Sequence, residues 1–178
     1  MDKKKKIVRL TTAGESLDDL LIGQLKYLNQ YFDIIAVAKD DGRLQKVRKR
    51  EGVRVVDAPI ERPISLLKDI IALRWLINFF KQEKPWCVHA NTPKGSLLAM
   101  VAAWICRVPH RIYTVTGLRY QGATGKFKFV LQTMERITCA CATKVIPEGQ
   151  GVLKTLKNDH ITNKPLEVIL NGNINGKD

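Results

Sequence analysis

The sequence predicts an α/β fold in which about seven mostly parallel strands form one sheet with helices on both faces. Short runs of apolar, often β-branched residues alternate along the 178 residues with segments whose apolar residues recur at helical spacing. Gly, Pro, Asp or Asn marks most of the junctions. Such alternation requires crossover connections and therefore parallel strands. The layout is that of a Rossmann-like, three-layer domain.

The predicted strands are short, and several are apolar throughout, which is typical of strands buried on both faces. Ile34–Ala38 is the clearest example, because it contains no polar residue. In chain order the predicted strands are Lys6–Thr11, Ile34–Ala38, Val53–Val56, Trp86–Ala90, Arg111–Val115, Lys144–Ile146 and Leu166–Leu170.

Between these strands, apolar residues recur every three or four positions and predict helices. The first is expected to begin with a capping box formed by Ser16 and Asp19. The helix over Ser65–Lys81 is apolar nearly all round, so either two of its sides are covered or one side meets a membrane or another domain. The predicted helices are Leu17 to about Tyr31, Arg43–Arg50, Ser65–Lys81, Pro93–Cys106, Lys126–Ala142 and Gly151 to about Lys157.

The turn after the fourth strand is a candidate ligand site on the residues alone. Trp86–Ala90 is followed by Asn91 and Thr92, and Pro93 suits the first position of a helix. Such turns lie at the carboxyl edge of a parallel sheet, where α/β proteins bind ligands. The helix N-terminus, with Lys94 beside it, favours an anionic group. A well-capped connection without a ligand fits the same residues.

The charge composition limits the kinds of binding partner that are expected. A hydrophobic content of 45% and a charged content of 26% are ordinary for a folded domain, but the net charge of +13 is high. It implies nucleic acid, an anionic membrane surface or a phosphorylated ligand, with a merely solvated basic surface as the alternative. The longest apolar run, Leu97–Cys106, is too short to span a bilayer. A cytoplasmic protein with at most peripheral membrane contact is therefore predicted.

The sequence lacks the motifs that mark several classes of enzyme and metal site. The first turn has one glycine, Gly14, rather than G-x-G-x-x-G, and there is no Walker A sequence and no Ser-His-Asp constellation. These absences argue against a self-contained dehydrogenase or NTPase. Cys87, Cys106, Cys139 and Cys141 have spacings that fit neither zinc nor a disulfide framework, so buried free thiols and no metal site are predicted.

Five segments, taken together and in this order, resemble the amino-terminal half of a retaining glycosyltransferase of family 4 with the two-domain GT-B architecture. The likeness is closest to bacterial enzymes that build capsule, O-antigen or other lipid-linked oligosaccharides. The segments cover almost the whole chain and are Pro59–Asp69, Lys84–Lys94, Arg111–Arg119, Met134–Arg136 and Asn171–Gly176.

The resemblance implies that residues 1–170 form an acceptor-binding domain and that 171–178 begin a linker to a C-terminal donor-binding domain outside this sequence. The full-length protein would transfer a sugar from a nucleotide sugar to a saccharide or polyprenyl-linked acceptor in surface polysaccharide synthesis. This half alone is not expected to be active, and no cofactor is expected because the nucleotide sugar is a substrate. Two alternatives remain, namely a basic nucleic-acid-binding module and half of a GT-B-like sugar-nucleotide epimerase.

The family's sites map onto the turns after the first, fourth and fifth strands and onto Arg62. No residue is identified as a catalytic acid or base. Asn91 stands where the family often has His, and Thr116 stands where the family commonly has His or Arg. Both residues are predicted to position the substrate. His89 suits either a core histidine or an acceptor contact. The substrate-binding candidates are Gly14, Glu15, Ser16, Arg62, His89, Asn91, Thr92, Lys94, Thr116, Gly117 and Arg119.

Cations and aromatic residues are interleaved where the fifth turn meets the next helix, which suits contact with anionic lipid heads. Stacking on nucleic-acid bases, or burial of the two Phe side chains, would use the same residues. We expect contact with the inner face of the plasma membrane and not with nucleic acid. The predicted membrane-contact residues are Arg119, Tyr120, Lys126, Phe127, Lys128 and Phe129.

Overall fold

The computed structural model describes residues 4–170 and residue 172, and its centre is one parallel sheet. Within that part of the chain six strands are assigned, in the order β3-β2-β1-β4-β5-β6, and each neighbouring pair is parallel. The order reverses between β1 and β4, which places the topological switch point there. The strands are β1 (Lys6–Ala13), β2 (Asp33–Lys39), β3 (Arg54–Asp57), β4 (Cys87–Ala90), β5 (His110–Val115) and β6 (Lys144–Pro147).

Helices connect the strands and cover both faces of the sheet, so the predicted three-layer α/β class is confirmed. A short 3₁₀ turn, Arg119–Gly122, precedes the sixth helix. The helices are α1 (Gly14–Leu20), α2 (Gln24–Asn29), α3 (Leu44–Glu51), α4 (Leu66–Glu83), α5 (Pro93–Ile105), α6 (Gly125–Cys141) and α7 (Gln150–Asn158).

Alternation along β1 divides the core in two. Val8 and Leu10 point to the face covered by α4, α5 and α6, whereas Ile7 points to the face covered by α1, α2 and α3. The first core is the larger, and it includes Leu76 of α4 and Tyr113 of β5. Because β1 is buried on both sides, its central residues Ile7, Val8 and Leu10 are apolar on both faces, and Arg9 is the polar residue among them.

The predicted seventh strand is wrong. Leu166–Leu170 forms no ladder with β6 and is assigned to no strand. Leu166 and Val168 are half-buried and alternate with exposed neighbours, so the period-two pattern reports one-sided burial and not strand pairing. The Lys164 ammonium fixes the start of the segment by donating to the carbonyl oxygens of Cys139 (2.6 Å) and Ala140 (2.9 Å) at the end of α6. The predicted linker, 171–178, lies outside the described residues except for Gly172.

The first predicted helix is two helices, and its capping box is absent. The chain turns at Leu21–Gly23, where Gly23 adopts the left-handed conformation (φ 74°). The Glu51 carboxylate of α3 accepts hydrogen bonds from the N–H groups of Gly23 and Lys26, both at 3.0 Å. Because a distant carboxylate supplies this cap, local periodicity alone could not locate the break.

The prediction that all four cysteines are buried free thiols is only partly confirmed. All four are free, but Cys87 and Cys139 are buried whereas Cys106 and Cys141 are half-buried. Burial raises the pKa of the Cys87 thiol to about 11 and that of Cys139 to about 12. Both buried thiols are therefore protonated and unreactive at neutral pH.

The start of α5 packs tightly against the end of β1. A Cβ atom on Gly95 would lie 2.7 Å from the Thr92 Oγ1 and 3.0 Å from the Thr12 backbone nitrogen. Gly95 is also buried. The glycine is needed here for close approach of two backbones and not for an unusual torsion angle.

We expect Gly95→Ala to lower the free energy of unfolding by about 1–3 kcal/mol, because the added methyl group forces the start of α5 away from β1. Gly151→Ala is the matched control. Gly151 is exposed on α7, and a methyl group added there would meet open space within 4 Å, so this variant should be neutral or stabilising by up to about 1 kcal/mol. Urea denaturation of both variants measures the difference. Equal stability of the two would contradict the packing argument.

Candidate functional site

The turns after β1, β4 and β5 meet at one rim of the sheet, as predicted from parallel pairing. The Thr12 N–H donates to the Thr92 Oγ1 at 2.9 Å, which joins the first turn to the second. The Thr116 hydroxyl donates to the Asn91 carbonyl oxygen at 2.8 Å, which joins the second to the third. These two bonds fix the relative positions of the three turns at the topological switch point.

The N-terminus of α5, predicted to favour an anion, is largely used within the chain. The Gly95 N–H donates to the Thr12 Oγ1 at 3.1 Å, and Pro93 has no N–H to offer. The Lys94 ammonium is buried, where it pairs with Asp69 at 2.5 Å and bonds to the Pro63 carbonyl oxygen. Lys94 therefore ties α5 to the start of α4 and does not project into the solvent of the rim.

Asn91 presents an amide with unused bonding capacity. Its side chain is fully buried at the end of β4, and neither the Nδ2 nor the Oδ1 has a hydrogen-bond partner among the described residues. An unsatisfied buried amide is costly, on the order of 1–3 kcal/mol, so an unpaired group of this kind in a folded chain needs a partner or a functional reason. Asn91 can thus donate and accept once a partner reaches it, whereas the Thr116 hydroxyl is already bonded to the backbone.

A cleft with a volume of about 510 Å³ opens at the same rim, beside β1, β2 and the β3–α4 link. Glu15 and Arg62 form an ion pair across it, and the Arg43 guanidinium approaches the same carboxylate at 3.8 Å. The Asp41 carboxylate accepts the Glu15 N–H at 2.8 Å. Lys39 pairs with Asp57 at 3.5 Å. All the charges named here except Asp41 are therefore paired, and the lining of the cleft is polar without a strong net charge.

His89 lies lower on β4, half-buried, with its Nε2 2.8 Å from the Thr114 Oγ1. Burial, and then the positive charge of Arg9, hold the pKa of His89 well below its usual range. Arg9 is the strand neighbour of His89 on β1, and burial lowers its own pKa to about 10. His89 is therefore neutral at physiological pH and bonds to the Thr114 hydroxyl, and both a core role and an acceptor contact stay predictions for it.

The remaining candidate site residues differ in their exposure to solvent. Gly14 is buried at the start of α1, and Ser16 and Gly117 are half-buried. Arg119 is exposed at the outer end of the third turn. Tyr120 is 1% exposed, so its predicted contact with lipid is wrong: its ring packs in the core that α6 covers.

Two residues of the rim were missed by sequence reasoning. Thr12 bridges β1 and α5 through its side chain and its N–H, and Asp41 holds the start of α1. In the sequence, Thr12 has the pattern of ordinary strand-end punctuation, and Asp41 that of an Asp-Asp-Gly turn. Their roles depend on partners 80 and 26 positions away, which no local pattern reports.

Two curated proteins are similar in sequence. One is the capsular polysaccharide biosynthesis glycosyltransferase CapM of Staphylococcus aureus, 36% identical over 160 residues, which are 90% of this chain and 40% of the relative. The other is the UDP-Gal:alpha-D-GlcNAc-diphosphoundecaprenol alpha-1,3-galactosyltransferase of Escherichia coli, 32% identical over 120 residues, 66% of this chain and 31% of the relative. The chain thus spans well under half the length of these relatives.

Solved structures share the fold at low identity. The UDP-GlcNAc 2-epimerase of Neisseria meningitidis superposes with a TM-score of 0.66 at 14% identity, over 93% of this chain and 46% of that one. MurG of Acinetobacter baumannii superposes with a TM-score of 0.61 at 15% identity, over 95% of this chain and 45% of that one.

The family model described as a glycosyl transferase 4-like domain matches residues 28–172. The chain belongs to the glycosyl transferase 4-like domain family.

Proposed function

We propose that this chain is the acceptor-binding domain of a retaining glycosyltransferase. It would present a lipid-linked saccharide to a nucleotide sugar during surface polysaccharide synthesis. One observation carries the proposal: the three linked turns and the adjoining cleft of about 510 Å³ lie together at the carboxyl edge of the sheet. The activities for which the two curated relatives are named support it.

The donor, in this proposal, binds mainly to a second domain that the 178 residues do not include. The short coverage of both relatives supports this division. The second domain would face the rim and close the cleft, so that this half does not turn over alone. The rim residues would then position the acceptor hydroxyl and stabilise charge on the departing phosphate, a contribution that needs no acid or base from this half.

The cleft suits an uncharged sugar ring. Two of its carboxylates, Glu15, which pairs with Arg62, and Asp41, which accepts the Glu15 N–H, keep oxygen lone pairs that accept hydrogen bonds from hydroxyl groups. The paired Arg62 and Arg43 reduce the attraction for a free anion. Gly14 and Ser16 border this cleft on α1, whereas Asn91, Thr92, Thr116, Gly117 and Arg119 border the rim toward β5. We assign Lys94 an indirect role, holding the β3–α4 link in place.

Two exposed apolar surfaces support contact with a membrane. The α4 patch consists of Ile64, Leu66, Leu67, Ile70 and Ile71, and the side chains of Leu66 and Leu67 are 80% and 78% exposed. The α6 patch consists of Lys126, Phe127, Lys128 and Phe129, all exposed. Both begin helices that follow parallel strands, so both lie at the carboxyl edge, like the rim. Among the described residues no helix is long and apolar enough to cross a bilayer. We propose peripheral attachment to the cytoplasmic face.

Transfer assays on the whole polypeptide, of which this chain is proposed to be the first half, test the function. The donors are UDP-galactose and UDP-N-acetylglucosamine, and the acceptor is N-acetylglucosamine linked to undecaprenyl diphosphate in vesicles. We expect label to reach the lipid fraction only when donor and acceptor are both present. Conversion of UDP-N-acetylglucosamine to its 2-epimer without acceptor would overturn the proposal and favour an epimerase, whose known members share this fold.

Asp41→Asn tests the cleft. We expect the acceptor KM to rise about tenfold, because one charge-assisted hydrogen bond is worth about 1.4 kcal/mol, while the KM for the nucleotide sugar is unchanged. Asp33→Asn, at the opposite end of β2 and exposed, is the matched control and should alter neither constant. An unchanged acceptor KM in Asp41→Asn would exclude the cleft as the acceptor site.

A further inference from the structure

Glu135 of α6 is a buried acid that the proposed transfer reaction does not use. Its side chain is 6% exposed, and its Oε1 accepts a hydrogen bond from the Tyr113 hydroxyl at 2.6 Å. No Lys, Arg or His side chain among the described residues forms an ion pair with it. A carboxylate without a counter-charge is expensive to bury, so the neutral acid is favoured.

A cavity lies directly beside this acid and under the rim. Its volume is about 20 Å³, enough for one water molecule, and its lining includes Glu135, Tyr120, Lys94 and Arg119. The cavity therefore connects α6 with the start of α5 and with the turn between β5 and α6. That turn, residues 116–124, carries three of the candidate site residues.

The hydrogen-bonding roles around the cavity are complementary. Because Tyr113 donates to the Oε1, the acid proton of a neutral Glu135 belongs on the Oε2, where it needs an acceptor. The Tyr120 hydroxyl, which also borders the cavity, is buried and faces the Asp159 side chain, but no hydrogen bond of standard geometry satisfies it within the described chain. A single water molecule can accept from the Oε2 proton and bond to the Tyr120 hydroxyl, which satisfies both groups.

We propose that Glu135 is protonated in the folded chain at mildly acidic pH and that one buried water molecule joins its carboxyl group to the Tyr120 hydroxyl, which locks the 116–124 turn onto α6. Glu135 is then a positioning residue for the rim. The inference stands apart from the proposed function, since it concerns how the turn is held and not what binds there.

The groups around Glu135 determine the direction of its pH dependence. Burial raises the pKa of Glu135 to about 7, and the Tyr113 hydrogen bond opposes this. Tyr113 faces it from β5, Tyr120 from the turn, Lys94 from α5 and Cys139 from α6, whereas Arg136 and Asp159 lie near Tyr120. Lys94 is bound to Asp69 and Cys139 is protonated. When the turn opens, the pKa returns to about 4.5, so opening releases a proton and becomes easier as the pH rises from about 4.5 to 7.

Hydrogen exchange of amides 116–124 in the full chain, from pH 5 to 8, tests the proposal. After correction for the intrinsic rate, we expect the protection to fall by up to about tenfold per pH unit to pH 7 and then level off. Glu135→Gln, which keeps an N–H donor in place of the acid proton, should abolish this trend. Glu167→Gln, an exposed glutamate on the segment after α7, is the matched control and should keep it. Tyr120→Phe should lower protection at every pH, because the water loses one partner.

Protection in the wild type that is independent of pH, or a trend that survives in Glu135→Gln, would overturn the proposal. Should Glu135→Gln fail to fold, a carbon-13 titration of the Glu135 carboxyl group in the wild-type chain decides instead. A midpoint near pH 7 supports the proposal, and one near 4.5 overturns it. A crystal structure at high resolution should show one water molecule within hydrogen-bonding distance of both Glu135 and Tyr120, and a dry cavity counts against the bridge.

Discussion

Asp18→Ala is expected to lower the free energy of unfolding by about 3 kcal/mol, because Asp18 is a buried carboxylate that joins α1 to α3. The side chain is 2% exposed. Its Oδ2 accepts from the Lys46 ammonium at 2.8 Å, and its Oδ1 accepts from the Arg50 guanidinium. Arg50 also bonds to Glu51 at 2.7 Å, and Glu51 caps the break before α2. Removing Asp18 therefore loosens three helices at once.

Asp19→Ala is the matched control. Asp19 is the adjacent residue and also pairs with a cation, Arg43 at 3.1 Å, but it is 57% exposed. Exposed pairs contribute about 0–1 kcal/mol, so this variant should be nearly as stable as the wild type. Urea denaturation at pH 7 measures both changes. Equal losses in the two variants would contradict the view that burial makes the Asp18 pairs important.

The same residue contributes to acid sensitivity. The hydrogen bond from Lys46 is the largest cause that holds the pKa of Asp18 below its usual 3.8. A carboxylate with a depressed pKa stabilises the fold above about pH 4, and this stabilisation is lost as the pH falls through the folded pKa. The slope of stability against pH below 4 should be shallower in Asp18→Asn. Part of the slope should remain, since the pKa values of Glu51 and Glu83 are also lowered.

Replacing Leu66 and Leu67 together by asparagine is expected to weaken binding to vesicles that contain phosphatidylglycerol by about a hundredfold or more. Each leucine contributes about 1.5–3 kcal/mol when it leaves water for the acyl boundary. Replacing Lys126 and Lys128 by glutamine should weaken binding by about tenfold to thirtyfold, in a way that salt abolishes, since each cation near an anionic surface contributes about 1 kcal/mol. Co-sedimentation with vesicles at two salt concentrations measures both effects.

An exposed apolar surface at the amino edge of the sheet, opposite the proposed membrane-binding edge, provides the control. Trp104 and Ile105 are 57% and 44% exposed at the C-terminal end of α5, which lies at the amino edge of the sheet. Replacing both by serine should leave vesicle binding unchanged, because the bilayer is expected to contact only the carboxyl edge. Equal weakening by this variant and by the leucine variant would indicate nonspecific apolar adsorption. Equal recovery with neutral and anionic vesicles would contradict the role of Lys126 and Lys128.

Much of the fold could be predicted because parallel strands leave strong local signals. Ile34–Ala38 is apolar on both faces, Cys87–Ala90 is apolar except for His89, and the helices between the strands keep the 3.6-residue period. The order in which βα units follow one another also predicts that the turns after β1, β4 and β5 lie at one edge. The comparisons agree with the resemblance that was carried by segments such as Lys84–Lys94.

Predictions from local sequence pattern were wrong where a residue's hydrogen-bond or ion-pair partner is distant in the sequence. Ser16 and Asp19 have the spacing of a capping box, but Asp19 instead pairs with Arg43, and the helix begins at Gly14. Lys94 has the position of a phosphate ligand at a helix start, but its ammonium bonds to Asp69 and Pro63. Leu166–Leu170 has the alternation of a strand, but no strand pairs with it among the described residues.

The sequence by itself determined the layer order, the parallel sheet and the edge at which a ligand site would lie, because hydrophobic period and chain connectivity are local properties. Only the tertiary structure decided which polar groups at that edge are used internally and which remain available. Thr12, Lys94 and Thr116 are bonded within the chain, whereas the buried Asn91 amide has no partner among the described residues. The physical reason is that buried polar groups must find hydrogen-bond partners, and folding brings together partners that are far apart in the chain.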